Sequence, residues 1–328
     1  MWLYILIGVL VVVLILLVLF LLAAISHAKL FSHRYLSDTR VKCYTKEEFG
    51  LDSEDIELKV DDTILRGALF SYPNSKEDSL FIYCHGMWSG IPEYMQDIEF
   101  FCKNGYKVLA IEYEGTNKSD GKNIRGLSNS LRCIDALMKY VYQRDDLKNR
   151  KIYVAGHSWG GFATLNIPYY YPEIKGVLAI SPFVSVVNCY KGLLPVFLWC
   201  LIPFSYLIER LCCKKFAKAN ALKHLEKFKG NIVILHSTND NLVKFKYNTN
   251  MLMKNKNIHA KYLIVDDKFH HPHYTKEAIK AFYEYIKKMN SFISQEEKTE
   301  YMKTVNFHKL GELDEDLLKQ ALEYVVKG

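Results

Sequence analysis

The hydrophobic and polar positions fall into three regimes along the chain. Residues 2–25, WLYILIGVLVVVLILLVLFLLAAI, carry no charge; as a helix they extend about 36 Å, enough to cross a bilayer core. After a polar stretch to about residue 54, DIELKVDDTILRGALFSY alternates on either side of an Asp-Asp turn, which predicts an antiparallel hairpin at a sheet edge. From there SLFIYCHG, YKVLAIEYEG, KIYVAGHS, KGVLAISP, GNIVILHS and AKYLIVDD read as short buried strands. Segments with helical periodicity separate them, among them 125–143 and 275–290. Strands alternating with helices imply crossover connections, hence an α/β fold with a mostly parallel central sheet and helices on both faces. Ligands in such sheets sit at the carboxyl ends of the strands.

One insertion breaks the rhythm. Residues 185–229 include GLLPVFLWCLIPFSYLIERLCC, whose apolar run is interrupted by Pro195 and Pro203 and is too short for a second span. It reads as a helical cap, either packed on the domain or resting on an anionic leaflet through its apolar face and the trailing Lys214, Lys215 and Lys218. The chain thus divides into an apolar anchor (1–28), a juxtamembrane linker (29–54), an α/β domain (55–290) and a charged helical tail (291–328) expected to dock on that domain.

Composition narrows the classes. With 328 residues, half of them hydrophobic, the chain can bury a large core. The net charge of +7 is unaccompanied by any nucleic-acid-binding motif, so no nucleic-acid partner is expected. Lys29, Arg34, Arg40 and Lys42 all follow the apolar helix, which places the body of the chain on the cytoplasmic side. A cleavable signal peptide, with Ser26 and Ala28 at the cleavage site, fits less well, because the run is too long and nothing basic precedes it. The eight cysteines show no CxxC spacing and read as reduced thiols, Cys84 as a small hydrophobe in a buried strand. Cys212 and Cys213, in CCKK, are an acylation candidate beside a membrane in a eukaryote, with two packed thiols as the plainer reading.

The chemistry centres on Gly156-His157-Ser158-Trp159-Gly160, which follows the strand KIYVA and opens a helical stretch. A G-x-S-x-G sequence in a strand-turn-helix context forms a nucleophile elbow, with Gly156 and Gly160 admitting the sharp turn. A serine hydroxyl needs a base, a group that orients the base, and donors for an oxyanion. The third strand ends in Tyr83-Cys84-His85-Gly86-Met87-Trp88, where this architecture supplies an oxyanion amide; the expected donors are Met87 and Trp159. His85 and His157 are constrained by the turns they occupy and read as structural. STNDNLV offers Asp240 as the acid just beyond a strand, ahead of Asp266 and Asp267, which lie too close in sequence to the base. DKFHHPHYT presents His270, His271 and His273 as bases, His273 least favoured because Pro272 and a helix start flank it.

HGMW, GHSWGG, STNDNLV and DKFHHPHYT, in this order, resemble the α/β-hydrolase superfamily, closest to its serine aminopeptidase-like and monoacylglycerol lipase-like branch, over about residues 55–290. The resemblance implies an α/β-hydrolase fold with a helical cap and a Ser158-His270-Asp240 triad working through an acyl-enzyme. Members usually carry Gly before the catalytic His. Here Phe269 holds that position, which makes His270 the base by alignment and leaves His271 as the alternative. The resemblance calls for no metal and no organic cofactor. With the anchor and apolar cap it implies a membrane-bound esterase acting on a lipid or acylglycerol. A serine aminopeptidase, an acyl-thioesterase and an inactive membrane-tethered interaction protein are the alternatives.

Overall fold

The computed structural model describes residues 1–37, 43–76 and 78–327; Arg40 and Lys42 of the basic flank lie outside the described residues. The chain opens with α1 (Trp2–Phe31), followed by the hairpin β1 (Asp52–Val60) and β2 (Thr63–Ser71). Crossovers then run β3 (Ser79–Cys84), α2 (Met95–Lys103), β4 (Lys107–Ile111), α3 (Asn129–Gln143), β5 (Lys151–His157), α4 (Trp159–Asn166) and β6 (Gly176–Ile180). The insertion holds α5 (Val186–Leu193), α6 (Ile202–Cys213) and α7 (Ala221–His224). Next come β7 (Asn231–Ser237), α8 (Thr249–Lys254), β8 (Lys261–Val265), α9 (Lys276–Ser291), α10 (Gln295–Lys303), α11 (Phe307–Leu310) and α12 (Glu315–Lys327).

All eight strands form one sheet in the order β1-β2-β4-β3-β5-β6-β7-β8. β1, β2 and β4 pair antiparallel, and every pair from β4-β3 to β7-β8 is parallel. The hairpin turns at the expected aspartates, with Asp61 in a left-handed conformation (φ 54°). β3 is buried along its whole length, and β5 and β7 along all but their first residue, as strands covered on both faces must be. One face packs against α3 and α4 and the other against α2 and α12. The order reverses around β3, since β4 lies on one side of it and β5 on the other. The crevice outside the carboxyl ends of β3 and β5 is therefore the topological switch point where such sheets bind ligands.

Two boundaries differ from those read in the sequence, and the tail packs closely on the domain. α1 continues to Phe31, with Ala23, His27 and Phe31 buried at four-residue spacing, so one stripe of its final turns packs on the domain while the earlier residues stay exposed. β1 starts at Asp52, inside the expected linker. The tail is part of the core: Leu318, Ala321, Leu322 and Val325 of α12 pack against the sheet, and Asn231 donates to the Val325 carbonyl at 3.0 Å. Gly176 in β6 permits this approach, because a Cβ there would lie 2.5 Å from the same carbonyl oxygen.

The cap also differs from expectation. Val196–Lys218 is helical throughout, because Pro203 sits in the first turn of α6, where a missing N–H costs nothing. Both this stretch and α1 are long and apolar enough to cross a membrane. Glu209 of α6, however, is fully buried against the domain.

Candidate active site

Ser158 terminates β5 and caps α4, with backbone angles of φ 56° and ψ −111°. A non-glycine residue holds such a conformation only where its surroundings impose it. Its N–H donates to Ile180 of β6 at 2.8 Å, and its carbonyl accepts from Phe162 of α4 at 3.1 Å. The flanking glycines are there for space. A Cβ on Gly160 would stand 1.9 Å from the Cys84 carbonyl oxygen, and one on Gly156 would stand 2.6 Å from the Cys84 Cβ. The elbow thus presses against the end of β3, and only residues without side chains fit.

The hydroxyl so presented lies 2.9 Å from His270 Nε2. On the far side of the ring, His270 Nδ1 lies 2.8 Å from Asp240 Oδ2. Asp240 stands in the loop after β7, and its other oxygen accepts from the N–H groups of Leu242 and Val243 at 2.9 and 2.8 Å. With Oδ1 filled by amides, Oδ2 is left to accept from the imidazole. Burial by itself would raise the pKa of Asp240, but hydrogen bonds from His236 and His270 overcome it and hold the carboxyl well below the usual carboxylate range. Because that carboxylate accepts from Nδ1, the His270 proton sits there, and Nε2 presents a lone pair to Ser158.

Three further residues support this arrangement. His236, fully buried at the end of β7, donates from Nε2 to Asp240 Oδ2 at 3.2 Å and to the Val243 carbonyl at 2.9 Å, while Nδ1 accepts from Thr249 at 2.6 Å. His157 accepts from the Tyr94 hydroxyl at 2.6 Å and donates from Nε2 to the backbone carbonyl of His270 at 2.8 Å, so it fixes the main chain that carries the base. Phe269 adopts φ 44°, the left-handed region in which glycine is easiest, and its N–H donates to Asn239 at 3.2 Å. The loop takes the glycine-like turn with a phenylalanine in place, its ring 5.2 Å from that of Tyr283.

The other expected residues separate cleanly. Met87 lines the same cavity as Ser158 and His270, and Trp159 opens α4, where the first amides have no partner within the helix. The Trp159 ring itself is fully buried and donates to the Leu127 carbonyl. Gly86 admits Tyr94, whose hydroxyl would lie 2.4 Å from a Cβ there. His271 shares the cavity but makes no hydrogen bond to Ser158 or Asp240; it stacks on Tyr274 at 5.1 Å, and burial beside His270 pushes it down to about 3. His273 is fully buried next to Asp97, at 3.4 Å. His85 bonds the Gly86 carbonyl and the Tyr113 amide, a structural placement. Asp266 accepts from Thr238 and Asp267 lies near Asn239; both are exposed.

His157, His271 and His273 bring ring nitrogens within 4.8 Å of one another, the one such group among the described residues. A cation there would have to displace the Tyr94 hydroxyl or the His270 carbonyl from His157, since both of its nitrogens are engaged. The donor set does not fit a resident metal.

Solved structures carry the same architecture. The Pyrococcus furiosus esterase Pf2001 superposes with a TM-score of 0.56 at 20% identity, over 88% of this chain and 98% of the esterase. The chain has the α/β-hydrolase fold. Est1E from Butyrivibrio proteoclasticus, solved with ferulic acid, has a TM-score of 0.55 at 20% identity, over 71% of this chain and 99% of Est1E. The family model "Serine aminopeptidase, S33" matches residues 75–212, a span that holds Ser158 and stops short of Asp240 and His270. Mouse (Mus musculus) acylamino-acid-releasing enzyme is 22% identical over 53% of this chain and 26% of its own length. The 2-hydroxy-6-oxo-6-phenylhexa-2,4-dienoate hydrolase of Comamonas testosteroni is 30% identical over 37% of this chain and 42% of its own. The chain spans less than half the length of either curated relative. Together the matches support a hydrolase on this fold.

Proposed function

We propose that the chain is a membrane-anchored serine hydrolase that cleaves a carboxylic ester, on a lipid or acylglycerol, through an acyl-enzyme. The observation that carries this reading is the unbroken relay on a strained elbow: Ser158 Oγ to His270 Nε2 at 2.9 Å, and His270 Nδ1 to Asp240 at 2.8 Å. In this mechanism His270 takes the Ser158 proton as Oγ attacks the ester carbonyl, and Asp240 stabilises the imidazolium that forms. The amides of Met87 and Trp159 receive the oxyanion. His270 then protonates the leaving alcohol. In the second half, water attacks the acyl-serine with His270 again as base, and the acid departs as Ser158 regains its proton.

The choice of ester over peptide rests on the cavity, about 520 Å³, whose walls include Phe183, Leu193, Leu242 and Phe282. Such a lining suits an aliphatic chain. α1 would hold the domain at the bilayer, with Lys29 and Arg34 favouring the cytoplasmic face. The exposed Val196, Phe197 and Leu211 of the cap would lie on the lipid, flanked by Lys214 and Lys215.

Labelling of the full-length chain in membranes with a fluorophosphonate tests the nucleophile. Wild type and His271→Phe are expected to label, and Ser158→Ala and His270→Ala are not. Equal labelling of wild type and Ser158→Ala would overturn the assignment. Turnover of a monoacylglycerol at least tenfold above that of an aminoacyl amide is the outcome expected for an esterase, and the reverse preference would identify a peptidase.

A further inference from the structure

The helix that reads as an anchor also builds the site. Leu30 and Phe31, its last two residues, line the same cavity as Ser158 and His270. Phe31 is 2% exposed and belongs to the hydrophobic cluster that contains Phe183, Cys189 and Trp159. A tether joined by a flexible linker would leave its end in solvent.

The end of α1 is held there by the cap. His27 Nε2 lies 3.2 Å from Glu209 Oε2 of α6, across 182 residues of sequence, with both side chains buried. The second oxygen of Glu209 accepts from the N–H of Ser128, at the start of α3, at 2.7 Å. Gly126 leaves the space for that carboxylate, since a Cβ there would stand 2.4 Å from Oε2. One buried acid therefore ties three elements together: the apolar helix, the cap and a helix of the catalytic domain. Farther from the site, the rings of Phe20 and Phe204 meet edge-on at 6.5 Å.

We propose that the carboxyl end of α1 is a specificity wall of the substrate pocket, with Leu30 and Phe31 packing against the aliphatic chain of a single-chain lipid ester whose carbonyl lies at Ser158. The inference rests on Ser158 and His270 marking the reacting end of the cavity. The outer faces of α1 and the cap are apolar, so lipid can surround the domain next to the pocket. Short acyl groups stop before the wall and are indifferent to it. Long ones gain from it at about fourfold in affinity for each methylene buried.

The test measures binding, so that it does not depend on turnover. In full-length Ser158→Ala protein in nanodiscs, a fluorescent long-chain fatty acid is displaced by 1-O-alkylglycerols carrying six or fourteen carbons, ethers that nothing hydrolyses. Leu30→Trp, which fills the pocket at that wall, is expected to weaken the fourteen-carbon ether at least tenfold and the six-carbon ether less than twofold. Leu30→Ala, a milder change, is expected to weaken the long ether threefold to tenfold with the short one unchanged. Affinities for the long ether that stay within twofold of the parent in both variants would overturn the proposal, as would equal losses for the two chain lengths. Loss of the chemistry would show instead as absent fluorophosphonate labelling in wild type, with these affinities unaffected.

Discussion

Asp240→Asn is the sharpest test of how the relay is wired, because every hydrogen bond of the acid is accounted for. One oxygen accepts two backbone N–H groups, from Leu242 and Val243, and the other accepts from His270 Nδ1 and His236 Nε2. An asparagine keeps the first set only by pointing its oxygen at the two amides, which turns its NH2 toward both imidazoles. An NH2 group donates and does not accept, so His270 must present the Nδ1 lone pair and move its proton to Nε2. That proton then faces Ser158 Oγ, and the ring can no longer act as base. Loss of the correct tautomer in a Ser-His-Asp site lowers kcat by about 10⁴, roughly 5 kcal/mol at 1.36 kcal/mol per decade. His236 meets the same NH2 with an N–H, a conflict of two donors that costs about 1–3 kcal/mol of stability. Stopped-flow hydrolysis of p-nitrophenyl butyrate measures the first effect and thermal unfolding the second. A kcat within tenfold of wild type, in protein with an intact unfolding transition, would refute the wiring.

Three further outcomes are expected. Gly160→Ala places a Cβ 1.9 Å from the Cys84 carbonyl oxygen and 2.7 Å from that of His85, and is expected to cost about 3 kcal/mol or more, while Gly8→Ala, with nothing within 4 Å, leaves the unfolding temperature unchanged. His157→Phe removes the donor to the His270 carbonyl and is expected to cost about 2 kcal/mol in stability, with kcat down at least tenfold; Tyr94→Phe, which leaves that donor in place, is expected to keep most of the activity. Asp97 is raised to about 7 by burial against the opposing hydrogen bond from Tyr83, so below pH 7 the native state holds a proton that the unfolded chain has lost, and its stability contribution fades as pH rises through 7. Between pH 5.5 and 8.5 the wild type should therefore lose about 2 kcal/mol relative to Asp97→Asn, read as a difference in unfolding free energy at the two pH values; a difference independent of pH would contradict the assignment.

Much of this was legible in the chain because it depends on local pattern. Buried runs such as SLFIYC and KIYVAGH are strands wherever they occur in a two-sided sheet, and alternation with helices leaves a mostly parallel arrangement. The elbow could be read because its requirement is also local: a serine in strained backbone geometry needs a glycine two residues to either side, whose absent side chains admit the end of β3. The choice among His270, His271 and His273 was not local. Three imidazoles within four residues are equivalent by type; the resemblance singles out His270, and only the fold, with Phe269 at φ 44°, shows its ring 2.9 Å from Ser158.

The partners of the site were invisible for the same reason. Nothing in ILHSTND marks His236 as a second donor to Asp240, and nothing near His157 announces that it holds the main chain of His270. Where the end of α1 and the tail pack was not legible either, because a periodic apolar stripe still has to choose its partner. Phe31 turns to the cavity that holds Ser158 and His270, and Val325 to the sheet, and that choice is made by surfaces contributed from distant parts of the chain. Sequence by itself determined the order of elements, the elbow and the presence of an acid and a base after later strands, because backbone geometry and burial period are properties of contiguous residues. Tertiary structure alone decided that the His270 ring lies between Ser158 and Asp240, that His236 shares the same carboxylate, and that the end of α1 lines the cavity, because hydrogen-bond direction and cavity shape exist only once separate elements have been brought within a few ångströms.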